Sequence, residues 1–134
     1  MDFSEAVRGA RLLAADIERS LGFPADVGTE YPEGWRRFHE LSGRPAPKAW
    51  VSISVPEVGT TIALDPSEPG SETAEGFAME LVQVLQDDIQ IHLREPWPKD
   101  PAARGRALAA TERGWQSTVD RARLVPYGEL GPAT

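Results

Sequence analysis

The stretch from Thr73 to Pro98, TAEGFAMELVQVLQDDIQIHLREPWP, reads as one long amphipathic helix that stops at a Pro-Trp-Pro block. At about 100° per residue, Phe77, Ala78, Leu81, Val82, Leu85, Ile89 and Leu93 sweep one broad arc. Glu80, Gln83, Gln86, Asp87, Gln90 and Arg94 fill the other side. Asp88 and His92 fall inside the apolar arc, one turn apart, where their side chains can meet. An unpaired charge there costs several kcal/mol, so the two are expected to hydrogen-bond to each other or to neighbours. As chemistry, they make an Asp-oriented His acting as general base, and they are the only catalytic candidates. A nucleophile to complete that arrangement is missing, because no G-x-S-x-G elbow occurs. The structural reading, a polar clasp or a pair at the arc's edge, is preferred, since buried polar groups usually occur as satisfied pairs.

Working outward, Ser71 or Thr73 can cap this helix, with Glu72 and Glu75 at the positive end of its dipole. The preceding loop, DPSEPGSE (65–72), is acidic and rich in turn formers. Before it, WVSISV (50–55) alternates Val51, Ile53 and Val55 with Trp50, Ser52 and Ser54, the period-two pattern of a half-buried strand. PEVG (56–59) turns the chain and TTIAL (60–64) returns it as a hairpin. Trp50, on the polar phase, is the tryptophan expected to be exposed, while Trp97 and Trp115 are assigned to the core.

The N-terminal segment from Asp2 or Ser4 to about Leu21 predicts a helix, with Asp2 and Glu5 at capping-box spacing. Its stripe is Phe3, Ala6, Val7, Ala10, Leu13, Ala14, Ile17 and Leu21, and Gly22 followed by Phe23-Pro24 stops it. Residues 25–34 read as a loop. A short helix over Pro32–Leu41, with Pro32 in its first turn, would send Trp35, Phe38 and Leu41 inward together. RPAPK (44–48) is a proline-stiffened connector. Asp100-Pro101 opens a helix to about Arg113, ended by Gly114. Trp115–Val119 and Ala122–Val125 then pair around Asp120-Arg121, with helix an open alternative for 115–123.

Composition narrows the classes. At 134 residues the chain suits one domain spanning 1–134. It has no cysteine, which excludes disulfides, thiolate metal sites and a cysteine nucleophile. His39 and His92 form no metal-ligand motif and no phosphate-binding glycine loop occurs, so no metal or cofactor is expected. Twelve of the fourteen basic residues are Arg, which suits a GC-rich bacterial genome. The N-terminus lacks the basic and apolar regions of a signal peptide, and no run spans a membrane, so a cytoplasmic protein is expected. Residues 65–100 carry −7, residues 1–64 carry −2 and residues 101–134 carry +2, so the middle segment equals the whole net charge of −7. Such a field disfavours nucleic acid and favours a protein partner with a basic surface. An acidic DNA mimic fits less well, because the acids are mixed with apolar residues.

The end of the long helix with PWPKDP (96–101), then Trp115, then VPYGEL (125–130), together about residues 75–130, resembles the C-terminal half of small uncharacterised proteins of high-GC Gram-positive bacteria. Those read W-P-x-C-P, a spacer with His-Pro, W-x-C-P and a closing I-G-x-L. Asp100 stands at the first Cys position and Ser117 at the second, and the His-Pro elements are missing. The resemblance therefore implies that any metal site of that group is lost here and that the Trp, Pro and Gly frame remains.

The resulting expectation is an α+β fold: N-terminal helix, short second helix, antiparallel hairpin, long helix, then a C-terminal helix and a hairpin that can join the same sheet. The expected role is a non-enzymatic protein-interaction or accessory module, with Trp50, Glu80 and Asp87 as partner-binding residues. The alternative is a ligand-binding protein or enzyme with a pocket between the sheet and the long helix, using Asp88 and His92.

Overall fold

A computed structural model describes residues 2–31, 33–43, 49–67 and 72–132. Pro32, the RPAPK connector at 44–48 and residues 68–71 of the acidic loop lie outside them.

Two long helices and a three-stranded sheet make the main body. Helix α1 (Phe3–Leu21) starts where the Asp2 carboxylate accepts from the Ser4 N–H and ends at Gly22, whose φ of 72° suits a residue without Cβ. Helix α3 (Ala74–Leu93) is capped by Thr73, whose hydroxyl accepts from Gly76. It stops before the Pro-Trp-Pro block, at Arg94, a non-glycine residue in the left-handed region with φ 58°. α1 and α3 pack along each other, and the contact is close because Ala6, Gly9 and Ala10 of α1 are fully buried.

The hairpin is present in the expected register. β2 (Val51–Val55) pairs antiparallel with β3 (Thr60–Leu64), setting Val51 opposite Leu64 and Ile53 opposite Ile62. Val51, Ile53 and Val55 are fully buried, in contact with the α1–α3 layer. Across the other phase, the Ser54 and Thr61 hydroxyls hydrogen-bond at 2.8 Å. The residues read as a loop contain a third strand: β1 (Asp26–Gly28) pairs with the far side of β2, Val27 opposite Ile53. A three-residue strand is too short to show a period, so only tertiary pairing reveals it.

The C-terminal third differs most from expectation. The Ala- and Arg-rich stretch 101–113 is not helical; it forms turns and then β4 (Ala109–Thr111), which pairs with β5 (Gly114–Gln116). Helix propensity loses here because the stretch has one large buried apolar residue, Leu108, and Gly105 sits at φ 80° in a turn. β5 pairs with β6 (Leu124–Val125), Trp115 opposite Val125, as the expected C-terminal hairpin. These strands form a separate sheet, β4-β5-β6, rather than extending the first. One buried cluster nevertheless runs through both sheets, from Ala6 and Val51 to Trp115 and Leu130.

Two side-chain expectations are also corrected. Trp50 is 6% exposed rather than on the surface, lying under the rings of Tyr31 and Trp35. Helix α2 (Glu33–Ser42) forms, but Trp35, Phe38 and Leu41 point to solvent, at 45%, 63% and 80% exposure. α1 and α3 already bury the apolar phase of β2, so the sheet leaves no such surface for α2. No described helix is long and apolar enough to cross a membrane.

Candidate functional site

Asp88 and His92 show no hydrogen bond to each other; of the two expected arrangements, Asp88 takes the one with a neighbour. The Asp88 carboxylate accepts from the Thr60 hydroxyl of β3 at 3.2 Å. His92 is exposed and meets the Phe23 ring edge-on, with centroids 6.0 Å apart. Its angle on the helix is that of the apolar arc, but it lies in the last turn, near the residues just past the end of α1. Neither residue borders the cleft lined by Trp97 and Arg106 or a second cleft lined by Phe3 and Leu12. Asp87 is exposed and Glu80 half-buried on the opposite side of α3, in one stripe with the exposed Val84 and Ile91. Among the described residues no group of three or more His, Asp or Glu is placed to hold a metal ion.

The chemistry that the sequence does not reveal gathers around the C-terminal sheet. Asp16 of α1 is fully buried and accepts three hydrogen bonds: from Trp115 Nε1 at 2.8 Å, the Gly128 N–H at 2.9 Å and the Leu130 N–H at 3.0 Å. Burial is the largest influence on its carboxyl and pushes its pKa above the ordinary 3.8, against the three donors. One turn on, the Ser20 hydroxyl accepts from Trp97 Nε1 at 3.0 Å and donates to the Asp16 carbonyl. Trp97, Trp115 and Tyr127 stack edge to face, 5.4 and 5.3 Å between successive centroids. The Tyr127 hydroxyl donates to the Thr111 carbonyl, and burial pushes its pKa well above 10.0. From α3, Gln86 donates to the carbonyls of Trp97 and Leu108, while Gln90 accepts from the Trp97 N–H. Two glutamines read only as a solvated face therefore clamp the segment after the helix.

Asp100 and Ser117 meet side chain to side chain. Ser117 Oγ donates to Asp100 Oδ2 at 2.8 Å, and both residues are buried. Burial alone would raise the Asp100 carboxyl. The Ala102 N–H and the Ser117 hydroxyl, with Thr118 and the Arg123 charge, outweigh it and hold the pKa below 3.8. Beside this pair opens a cleft of about 760 Å³, lined by the segment Glu95–Pro101, the turn Arg104–Arg106, β6 and the chain after Tyr127. The Trp97–Pro98 bond in its wall is cis.

The remaining feature is α2. Trp35 sets its ring edge against Trp50 with centroids 5.3 Å apart, and Tyr31 does the same at 5.0 Å. The Tyr31 hydroxyl shares a 2.8 Å hydrogen bond with His39 Nδ1, and the Arg36 guanidinium lies 5.9 Å from the Tyr31 centroid. Trp50 Nε1 is buried with no hydrogen-bond partner among the described residues. Trp50, expected as a contact residue, is thus the base on which the exposed Trp35 rests. Beyond Trp35, Phe38 and Leu41 continue the stripe into solvent.

Comparison of the chain with protein families, curated proteins and solved structures finds no match.

Proposed function

We propose that the protein is a non-enzymatic interaction module that docks on another protein through α2. The observation that carries this reading is the outward stripe of Trp35, Phe38 and Leu41 on a helix whose residues from 34 to 42 are exposed save for a half-buried His39. A ten-residue helix is marginal in water and ordinarily owes its stability to a buried face. Here the face is uncovered, and its Trp and Phe are side chains enriched at the centres of interfaces. The helix is read as an anchor laid into an apolar groove of the partner.

The charge argues for a different protein rather than a second copy. Each copy carries −7, so self-association brings like charges together, whereas a groove with a basic rim is drawn in. The acids of 65–100, including Glu80 and Asp87, then act through their field, and their influence shows in the association rate. The resemblance of 75–130 to the Cys-bearing proteins is compatible with this reading: the Ser117–Asp100 hydrogen bond keeps those two positions together.

The test places a photo-crosslinking side chain at Phe38 and identifies the protein it captures in cells. Binding of that purified protein is then compared for wild type and for Trp35→Ala and Phe38→Ala. Each truncation is expected to weaken binding by about 2 kcal/mol, roughly 30-fold, as for interface anchors. Raising the salt is expected to slow association more than it speeds dissociation. Equal binding by wild type and both variants, or capture of a second copy alone, overturns the proposal.

A further inference from the structure

The cleft beside Asp100 is independent of α2, and its chemistry differs from that of the rest of the molecule. We infer that it is a binding site for a small organic carboxylate with an apolar body, held by Arg104 and Arg106.

Three observations meet there. The cleft, at about 760 Å³, lies within the size range of small-molecule sites, and most of its surface is carbon. Its floor includes Leu21, Trp97, Pro98, Leu108, Val125 and Leu130, of which Trp97, Leu108 and Leu130 also belong to the core cluster. A ligand body placed there meets a preformed apolar surface rather than one that must be assembled.

The rim supplies the charge. It carries Lys99, Arg104, Arg106 and Arg123 against Glu95, Asp100 and Glu129. Lys99 and Glu95 pair with each other at 3.6 Å. Asp100 is taken up by Ser117 and Ala102, with Arg123 facing it. Among the described residues, the guanidinium groups of Arg104 and Arg106 make no ion pair or hydrogen bond. Glu129 is the one rim carboxylate left to oppose them. Positive charge at this rim matches the segment 101–134, the only one of the three segments that is net positive.

The chemistry of the two halves defines the ligand. A guanidinium presents a planar fork of donors that fits a carboxylate with two parallel hydrogen bonds. The floor offers little to a polar body, which argues against a nucleotide or sugar phosphate. One carboxylate over an apolar body of one or two rings, or a short chain, satisfies both halves.

The experiment titrates the full chain with naphthalene-2-carboxylate and follows backbone and indole N–H signals by NMR. Naphthalene-2-carboxamide, acetate and inorganic phosphate are the controls. Saturable shifts are expected at Leu108, Val125, Leu130 and the Trp97 indole. The carboxamide is expected to bind at least tenfold more weakly, and acetate and phosphate not to saturate. Arg104→Ala with Arg106→Ala, both exposed and outside the core, is expected to leave the unliganded spectrum folded and to lose at least tenfold in affinity. Several outcomes overturn the inference: equal binding of the carboxamide, unchanged affinity in the double variant, or saturation by phosphate alone. So do shifts confined to the second cleft, around Phe3 and Leu12, and no binding at millimolar ligand.

Discussion

Asp16 connects the N-terminal helix to a sheet a hundred residues downstream, and it does so from full burial. Its two oxygens take the Trp115 indole and two backbone amides of the closing segment, so replacement leaves buried donors without acceptors. Asp16→Ala is expected to destabilise by about 3 kcal/mol in urea unfolding. Asp16→Asn should cost about 1–3 kcal/mol, because an amide turns one acceptor into a donor facing another donor. The pH dependence has a defined sign. With its folded pKa above 3.8, Asp16 contributes stability that is full below 3.8 and is lost as pH rises through the folded value. The advantage of wild type over Asp16→Asn is therefore expected to be larger near about pH 4 than near about pH 7. Asp100 runs the other way: its stabilisation is present above 3.8 and is lost as pH falls through its lowered pKa. A pH-independent difference for Asp16→Asn would contradict this account. None of it was legible in LLAADIERSL, where Asp16 is one polar residue beside an apolar stripe. Its partners come from 115 to 130, a separation that no local period reports.

Among the elements, those with a long or clean period were legible and those defined by pairing were not. α1, α3 and the β2–β3 hairpin each carry enough residues for the period to outweigh local exceptions. β1 and β4 have three residues each, and β4 lies in a stretch whose Ala and Arg content mimics a helix. α2 shows a different limit: its apolar spacing correctly marks a helix, but spacing cannot say whether the face is already spoken for. Glycines separate the two kinds of helix experimentally. A Cβ at Gly9 would collide with the backbone carbonyl of Ala74, a rigid obstacle between α1 and α3. Gly9→Ala should therefore lower stability by about 1–3 kcal/mol, although alanine is the better helix former. A Cβ at Gly34 in α2 meets nothing. Gly34→Ala should instead strengthen α2 by up to about 1 kcal/mol, seen as added helical circular dichroism without loss of thermal stability. A stabilised Gly9→Ala would mean that the two helices are not in that close approach.

At the scale of the whole molecule, two sheets share one core while one helix stands outside it. Asp16, Gln86 and the Trp97–Trp115–Tyr127 stack tie the C-terminal sheet to α1 and α3. The two sheets are therefore expected to open together, whereas among the described residues α2 is held by little more than the Trp35–Trp50, Tyr31–His39 and Arg36–Tyr31 contacts. Native-state hydrogen exchange resolves this difference. Amides of α1, β2, α3 and β5 should exchange only through global unfolding and share one opening free energy. Those of α2 should exchange through local opening at a small fraction of that value. The field of the chain, −7 overall with +2 in residues 101–134, was legible by counting and leaves this ranking unchanged. Binding of the partner should bring α2 toward the protection of the core, because its apolar face then gains the cover the free protein does not provide. A C-terminal sheet that opens well below the global value would show that the Asp16 network does not couple it to the helices. An α2 already protected in the free protein would remove the physical reason for assigning its exposed stripe to a partner.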